Sequence, residues 1–357
     1  ASFAIYLGLA LMALLVFHTY EIWPAAGGAV ACAILYGRQA SFGVLLGAFA
    51  ALLVGDSYVG LLTGSERFFA FFFVALSNMV ATLSVSYSAD IFLQRTAGYF
   101  HPANLFRLFT VIPVIYSIVP AVFGIILAFL FPQYGSPFEA VFWFVGDFIG
   151  IIIVTPVLLA WMLPITEKEK DINWNEVLIC YSIFVLVGIV FFGPDNSIVK
   201  QVGRISLLVL IPLFWSAMRF HYRIHAAFVL TFFLMLWTGY TFGYSIFQLT
   251  HPTFSSLQMM LFAAGAAVCS FWTNGMAWER QQSFQKMEQL VHYDMLTGLK
   301  NRYALLKQVG EMIGDRQPKP FSMLYIDIDE FSFFNNKMGQ RIGDKFWSAL
   351  EERRVRY

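Results

Sequence analysis

Residues Phe138 to Leu163 form a long apolar stretch, F-E-A-V-F-W-F-V-G-D-F-I-G-I-I-I-V-T-P-V-L-L-A-W-M-L. Its ionisable side chains are Glu139 near the start and Asp147 in the interior. A helix that crosses the hydrocarbon core of a bilayer needs about 20 mostly apolar residues. The stretch therefore predicts a transmembrane helix rather than a helix of a soluble core.

The composition of the whole chain supports this interpretation. Hydrophobic residues make up 59% of the 357 residues and charged residues 13%, whereas soluble domains carry about 25% charged residues. The 39 Phe and 9 Trp are more than a soluble core of this length can bury, so part of this surface must face lipid. The net charge of +1 gives no indication of a nucleic-acid partner.

Ten segments have the length or hydrophobicity of membrane helices, which predicts a polytopic α-helical membrane bundle of about 8–10 transmembrane helices. The second and eighth are short, and each is either a full span or a half-helix. The first has no charged region or cleavage site before it, so it is predicted to be a retained helix. The segments are Ser2–Tyr20, Trp23–Tyr36, Ala40–Leu62, Phe68–Leu93, Leu105–Phe131, Phe138–Leu163, Glu176–Phe192, Ile205–Met218, Ala226–Tyr244 and Leu257–Trp278.

Basic residues in the connections predict the orientation. One set of alternate connections carries more Lys and Arg than the other, and the richer side faces the cytoplasm. This places the C-terminal part in the cytoplasm. The richer side carries Arg38, Arg95, Lys168, Lys170, Arg219 and Arg223, and the opposite side carries Arg67, Lys200 and Arg204.

The three cysteines, Cys32, Cys180 and Cys269, lie in apolar runs without paired spacing. Free buried thiols are therefore expected, and neither a disulfide nor a metal site is predicted.

The composition changes after Trp278. Residues Glu279–Val291 are mostly polar, with Phe284, Met287 and Val291 at helical spacing. This one-sided pattern indicates either a short coiled coil or an amphipathic helix lying on its own soluble domain. Residues 279–293 therefore form a predicted coupling helix between a membrane domain (1–278) and a soluble domain (294–357).

The soluble part alternates between helix and strand patterns, which predicts a partial α/β domain. A turn at Asp294–Arg302 leads into a helix that ends near Gly314, and Phe321–Ile328 reads as a buried strand. A second helix is predicted over Asp329–Asn336, followed by a turn at Met338–Gly343.

Three ordered motifs in this part resemble the first part of a GGDEF domain, the diguanylate cyclase fold. They are D-M-L-T-G-L-K-N-R at Asp294–Arg302, L-Y-I-D-I-D-E-F at Leu324–Phe331 and F-N-N-K-M-G-Q-R-I-G-D at Phe334–Asp344. The resemblance implies a homodimer in which two GTP molecules, held with Mg²⁺ or Mn²⁺, are joined into cyclic di-GMP.

The same resemblance implies roles for particular residues. Asp327 and the backbone carbonyl of Ile328 are expected to bind the metal, and Phe331 to pack beside the phosphates. Asn335 and Asp344 are expected to hydrogen-bond the guanine. The alternative is that Asp327 and Asp329 merely cap the following helix.

The chain also departs from the family pattern. Ser332 stands in place of a common Lys, Asn336 in place of Asp and Gln340 in place of His. The 357 residues contain no G-G-[DE]-E-F hairpin, which supplies a second metal carboxylate in the family. The soluble domain is therefore expected to be incomplete, and this polypeptide to be unable to make cyclic di-GMP by itself.

The membrane part resembles a MASE1 domain, a sensory module of the bacterial inner membrane. The resemblance lies in W-P-A-A-G-G-A at Trp23–Ala29, Gly37-Arg38, L-G-A-F at Leu46–Phe49 and the stretch Trp143–Pro156. It implies a membrane-bound sensory diguanylate cyclase.

Asp147 is the candidate centre of a sensor pocket for an unknown signal ligand, together with Trp23 and Trp143, because ionisable groups inside a bilayer are costly. The alternative is hydrogen bonding between helices, which needs no ligand. Asp56 and Asp147 would also fit a transporter or channel with a degenerate cytoplasmic appendage. A further alternative is a receptor whose non-catalytic GGDEF domain only binds nucleotide.

Overall fold

The computed structural model describes residues 1–16, 23–59, 66–93, 99–132, 136–164, 172–192, 208–242, 252–314, 320–325, 327–345 and 347. These residues divide into two compact units, Ala1–Glu279 and Arg280–Tyr357. Of the basic residues used to predict the orientation, Arg95, Lys168, Lys170, Lys200 and Arg204 lie outside the described residues.

Helices dominate the described residues of both units. Each of the ten predicted membrane segments contains a helix, which confirms the predicted fold class for the membrane part. The helices are α1 (Ser2–Leu11), α2 (Pro24–Tyr36), α3 (Ala40–Val59), α4 (Glu66–Phe92), α5 (Pro102–Phe109), α6 (Val111–Leu130), α7 (Glu139–Met162), α8 (Trp174–Phe192), α9 (Leu210–Arg219), α10 (Tyr222–Thr241), α11 (Pro252–His292), α12 (Arg302–Gly314) and α13 (Phe331–Met338).

Within the described part of the chain, seven stretches are long and apolar enough to cross a membrane. A shorter apolar helix, Ser2–Leu14, precedes them. The first stretch combines α2 and α3, which a single turn of 3₁₀ helix joins at Gly37–Gln39. The stretches are Pro24–Gly55, Arg67–Phe92, Pro102–Leu130, Glu139–Met162, Trp174–Phe192, Tyr222–Thr241 and Leu257–His292.

Helix α2 is the centre of the first half of the bundle. It contacts α1, α4 and α7, and every residue from Pro24 to Ile34 is buried. With 13 residues it is about 20 Å long, too short to cross a hydrocarbon core of about 30 Å. Its many Ala and Gly residues allow neighbouring backbones to approach closely, as small residues do between membrane helices.

Helices α2 and α7 approach each other closely. A Cβ atom on Gly27 would lie 2.6 Å from the carbonyl oxygen of Gly150 and 2.6 Å from Cβ of Val154. The hydroxyl of Thr155 donates to the carbonyl oxygen of Gly27 at 3.0 Å. The backbone amide of Trp23 donates to the carbonyl oxygen of Gly146 at 3.3 Å. Helix α2 therefore begins beside the interior of α7, roughly 10 Å along the axis from the first residue of α7.

The predicted span Leu105–Phe131 is broken into α5 and α6. Thr110, between them, has φ −118° and ψ −66°, and Pro113 follows in the first turn of α6. Proline has no amide hydrogen and its ring collides with the carbonyl four residues earlier, which explains the break at this point.

The three cysteines are free thiols, as predicted. Cys32 is buried and Cys180 is half-buried, but Cys269 is exposed. The expectation that all three are buried is therefore wrong for Cys269, which lies on the outer surface of α11.

Helix α11 continues unbroken from the last apolar stretch through the predicted coupling segment to His292. The helical character predicted for Glu279–Val291 is therefore confirmed. The side chains of Phe284, Met287 and Val291 are 52–67% exposed, so within the described residues this apolar stripe lies open.

The predicted helix after Arg302 is present as α12. The strand predicted over Phe321–Ile328 is not, since no described residue of this range is in a strand. Leu324 and Tyr325 are 82% and 87% exposed. Extended backbone becomes a strand through pairing, and the described residues offer this segment no pairing partner.

Candidate functional site

A network of polar side chains lies inside the membrane bundle. Asn78 on α4 is its centre: its Oδ1 accepts hydrogen bonds from the hydroxyls of Tyr6 at 3.0 Å and Tyr116 at 2.9 Å. The indole N–H of Trp23 donates to the Tyr6 oxygen at 2.9 Å. The Asn78 amide donates to the carbonyl oxygen of Val74 at 2.9 Å. The network therefore ties α1, α4 and α6 to the start of α2.

Asp147 lies beside this network. It is 5% exposed, and its carboxyl group is within electrostatic reach of the Tyr6 and Tyr116 hydroxyls. None of the described residues donates a hydrogen bond to it. A buried polar group without a partner is costly, and an ionised one more so, which makes Asp147 the least satisfied side chain of the cluster.

The three predicted pocket residues are only partly brought together. Trp23 joins the network directly, and Asp147 is its neighbour. Trp143 lies one turn before Asp147 on α7 and packs against α6, where its ring is 3.0 Å from the position of a Cβ on Gly124. Trp143 therefore packs in the interface between α6 and α7 and is not one of the hydrogen-bonded residues of the network.

Sequence reasoning missed Tyr6, Asn78 and Tyr116. Asn78 carries a usable signal, because an amide in the middle of an apolar span needs a buried partner. The two tyrosines carry none, because Tyr is also common at membrane surfaces. The side chain of Asp56, which the transporter alternative invoked, lies outside the described residues.

In the soluble unit, the predicted turn at Asp294 is built around that side chain. Its Oδ1 accepts from the Thr297 amide at 2.9 Å, the Thr297 hydroxyl at 2.8 Å and the Leu296 amide at 3.2 Å. These bonds, led by the Thr297 amide, hold the pKa of Asp294 below its usual value. Gly298 adopts φ +67°, a region that favours glycine.

Asn301 fixes the next helix to the end of α11. Its Oδ1 accepts from the Ala304 amide at 3.0 Å, which caps α12, and its Nδ2 donates to the carbonyl oxygen of Val291 at 2.7 Å. The motif from Asp294 to Arg302 therefore connects α11 to α12 through a turn that side-chain hydrogen bonds hold in place.

The predicted metal ligand Asp327 lies on the exposed segment before α13. Its Oδ1 accepts from the amide of Ile328 at 3.0 Å, and the carbonyl oxygen of Ile328 accepts from the amide of Phe331 at 3.3 Å. Glu330 precedes α13 with φ +54°. Asp327 therefore does not cap α13 with its side chain.

The predicted nucleotide residues Phe331 and Asn335 meet at Gly343, next to Asp344. A Cβ on Gly343 would collide with Oδ1 of Asn335 and lie 3.2 Å from the Phe331 ring. Phe331 also packs edge-on against Trp347, with ring centroids 5.6 Å apart. The Oδ1 atom of Asn335 is buried and accepts no hydrogen bond from the described residues.

The oxygens at Asp327 and Ile328 suit a hard cation such as Mg²⁺, which prefers carboxylates and carbonyls and completes its shell with phosphate oxygens. No cluster of three or more His, Cys, Asp or Glu side chains occurs within the described ranges. A metal here would therefore depend on further oxygen ligands besides Asp327.

Two family models match the chain in succession. The MASE1 model matches residues 2–278, and the model "Diguanylate cyclase, GGDEF domain" matches residues 291–353. The boundary between them falls within the last turns of α11.

Three uncharacterised proteins, one from Mycobacterium bovis and two from strains of Mycobacterium tuberculosis, share 34% identity with the chain over 68 residues. The match covers 19% of this chain and 11% of each relative, so the chain spans about a tenth of their length. No solved structure matches the chain.

Proposed function

The chain belongs to the MASE1 family and continues into a GGDEF domain, and on this premise we propose that it is a sensory diguanylate cyclase of the membrane. The membrane domain detects a signal, and the soluble domain condenses two GTP into cyclic di-GMP. One observation carries the proposal: a single helix, Pro252–His292, leaves the membrane bundle and ends at the motif that opens the GGDEF domain.

Guanine recognition is assigned to Asn335 and Asp344. The buried, unpartnered Oδ1 of Asn335 supports this assignment, because guanine offers ring and amino N–H groups to such an acceptor. Phe331, which contacts the same glycine, is assigned to the wall beside the phosphates.

Asp327 and the carbonyl oxygen of Ile328 are assigned to Mg²⁺ or Mn²⁺. The metal supplies charge neutralisation at the phosphates, which is the main requirement of phosphoryl transfer. Asp327 is exposed, so its carboxylate is accessible to a nucleotide-bound metal.

Activity requires two GTP-loaded domains facing each other, so the protein is proposed to act as a homodimer. The exposed stripe of Phe284, Met287 and Val291 supports pairing through α11, because apolar residues at this spacing form the seam of a coiled coil. The GGDEF domain is proposed to lie in the cytoplasm, where GTP is found, with the membrane domain in the bacterial inner membrane.

The signal is proposed to be read around Asp147, with Trp23 and Trp143. Asp147 is buried without a hydrogen-bond donor among the described residues, which makes the energy of this region sensitive to what binds there. A ligand can shift the state of the bundle only if it binds one state better than another.

The 357 residues contain no G-G-[DE]-E-F hairpin, so this polypeptide alone is proposed to be inactive. Cyclic di-GMP formation by the purified 357-residue protein, and by a fusion in which the G-G-[DE]-E-F hairpin and the rest of a GGDEF domain follow this chain's own residues 294–345, tests the proposal. Product from the fusion and none from the 357-residue protein is expected. An inactive fusion would contradict the cyclase assignment, and an active 357-residue protein would contradict the requirement for the hairpin.

A further inference from the structure

The hydroxyl and indole hydrogen atoms of the polar network around Asn78 already have acceptors. Tyr6 and Tyr116 each have one hydroxyl hydrogen, and both donate it to Oδ1 of Asn78. The indole hydrogen of Trp23 goes to the oxygen of Tyr6. These three donors therefore hydrogen-bond within the network, and no described residue donates a hydrogen bond to the carboxyl group of Asp147.

The start of a helix lies next to Asp147 in the chain's packing. Helix α2 begins beside Gly146, and the N-terminus of a helix carries a partial positive charge. That partial charge does not balance a whole carboxylate inside a membrane bundle, where an unpaired charge is costly. A full positive charge placed beside Asp147 would complete the site.

The other groups around Asp147 indicate the kind of cation. Three aromatic side chains, Tyr6, Trp23 and Tyr116, converge on the network, and Trp143 lies one turn away on α7. Aromatic rings attract organic cations, which lose less hydration than metal ions do on burial. The phenol oxygens of Tyr6 and Tyr116 can in addition accept N–H hydrogen bonds, which an ammonium group supplies.

A metal ion fits the site less well. Both lone pairs on Oδ1 of Asn78 are already used by the two tyrosines. Among the described residues no three His, Cys, Asp or Glu side chains are grouped as metal ligands. The site thus offers one carboxylate in aromatic surroundings, which matches an ammonium group better than a bare ion.

We propose that Asp147, which follows the Gly146 carbonyl bound by the Trp23 amide, binds the protonated amino group of a small organic amine. This inference rests on the proposed sensory role of the membrane domain and names the class of its ligand. The amine pairs with the Asp147 carboxylate, and the network around Asn78 holds the aromatic walls in place.

The test uses n-butylamine, which is protonated at pH 7, and its neutral analogue n-butanol. Thermal unfolding of the full chain in detergent is followed against the concentration of each compound. A saturable rise in Tm with n-butylamine, absent with n-butanol and with NaCl at equal ionic strength, is expected. Because loss of the charge partner removes a buried ion pair, Asp147→Asn should weaken binding by at least about a hundredfold.

Glu139→Gln is the matched control, since Glu139 is an exposed carboxylate at the start of the same helix and should leave binding unchanged. If Asp147→Asn fails to fold, the comparison of amine, alcohol and salt on the native chain still decides. The proposal is overturned by the absence of saturable stabilisation, by equal stabilisation with n-butanol, or by an effect that NaCl reproduces.

This assay contains neither GTP nor a cyclase measurement, so it fails independently of the proposed function. An active fusion with no amine binding would contradict only the proposed class of ligand. Amine binding with an inactive fusion would support the proposed amine site and contradict the cyclase assignment.

Discussion

The hydroxyl of Thr155 on α7 donates a hydrogen bond of 3.0 Å to the backbone carbonyl oxygen of Gly27 on α2. The bond lies where the two backbones approach closely, because Gly27 faces Gly150 without a side chain between them. This contact holds the short helix α2 against α7, and so fixes the position of Trp23 relative to Asp147.

The first prediction concerns this contact. Gly27→Ala places a methyl group 2.6 Å from the Gly150 carbonyl oxygen and should lower the stability of the bundle by about 1–3 kcal/mol through overpacking. Gly265→Ala is the control, since nothing lies within 4 Å of its Cβ position. Thermal unfolding in detergent should show a lower Tm for the first variant alone, and equal Tm values would contradict the packing account.

The second prediction concerns the attachment of α11. Asn274 donates to the carbonyl oxygens of Ala217 at 2.8 Å and Phe220 at 2.9 Å, which lie at the end of α9, where helix carbonyls lack partners of their own. Asn274→Leu should therefore cost about 1–3 kcal/mol. Thr273→Val is the control, because the Thr273 hydroxyl bonds within its own helix to Cys269. Similar losses of Tm in both variants would contradict a specific role for Asn274.

The third prediction is a pH dependence of the turn at Asp294. Its pKa is lowered in the folded protein, mainly by the Thr297 amide, while the unfolded value is about 3.9. The contribution to stability is therefore fully present above about pH 4 and is lost as the pH falls through the folded pKa. Hydrogen exchange at the Thr297 amide, corrected for its intrinsic rate, should show less protection at pH 3 than at pH 6.

Asp294→Asn keeps an acceptor at this position but does not titrate. The protection of Thr297 in this variant should not change over the same pH range. A pH dependence as large as that of the native chain would assign the effect to another group.

The fourth prediction tests the nucleotide assignment. Gly343→Ala should displace Asn335, because a methyl group there collides with Oδ1, and should weaken GTP binding by about tenfold, the effect of losing one to two hydrogen bonds. Gly310→Ala is the control in α12, where the Cβ position is open. The measurement is GTP titration in the presence of Mg²⁺, and equal affinities would contradict the assignment.

The fifth prediction concerns pairing through α11. Met287→Asp puts a charge into the apolar stripe and should weaken dimerisation by at least about tenfold. Gln289→Asp adds the same charge on the opposite side of the helix and should have little effect. Sedimentation of the detergent-solubilised protein over a range of concentrations distinguishes the two, and unchanged association of both variants would place the interface elsewhere.

The sequence predicts the membrane helices well because the bilayer fixes their length and excludes charge. The break at Thr110 has a local cause in Pro113. Proline alone does not locate a break, however, since Pro120 and Pro156 lie inside helices α6 and α7. The prediction of a strand at Phe321–Ile328 is wrong for the described residues, and the reason is physical. The apolar residues identify a segment suited to a sheet, but a strand forms only when another strand pairs with it.

The candidate sites likewise contain residues that the sequence reveals and residues that only the structure reveals. Asp147 stands out in the sequence because a carboxyl group is rare inside a span. Its neighbours Tyr6, Asn78 and Tyr116 come from three different helices, and a sequence without contacts does not reveal that they converge. The motif around Gly343 identifies Phe331, Asn335 and Asp344 as candidate nucleotide-binding residues. It does not show that a side chain at position 343 would collide with Asn335, because that collision depends on the folded position of Asn335.

Coupling through α11 is tested by cyclic di-GMP formation in a fusion of residues 1–293 to a complete GGDEF domain, with one to four residues inserted after Ser283. Each added helical residue rotates the downstream domain by about 100°. Activity should fall or change with one or two insertions and return near four, when the rotation of about 400° exceeds a full turn by only about 40°. Activity that is unaffected by the number of inserted residues would contradict the claim that α11 couples the membrane domain to the cyclase.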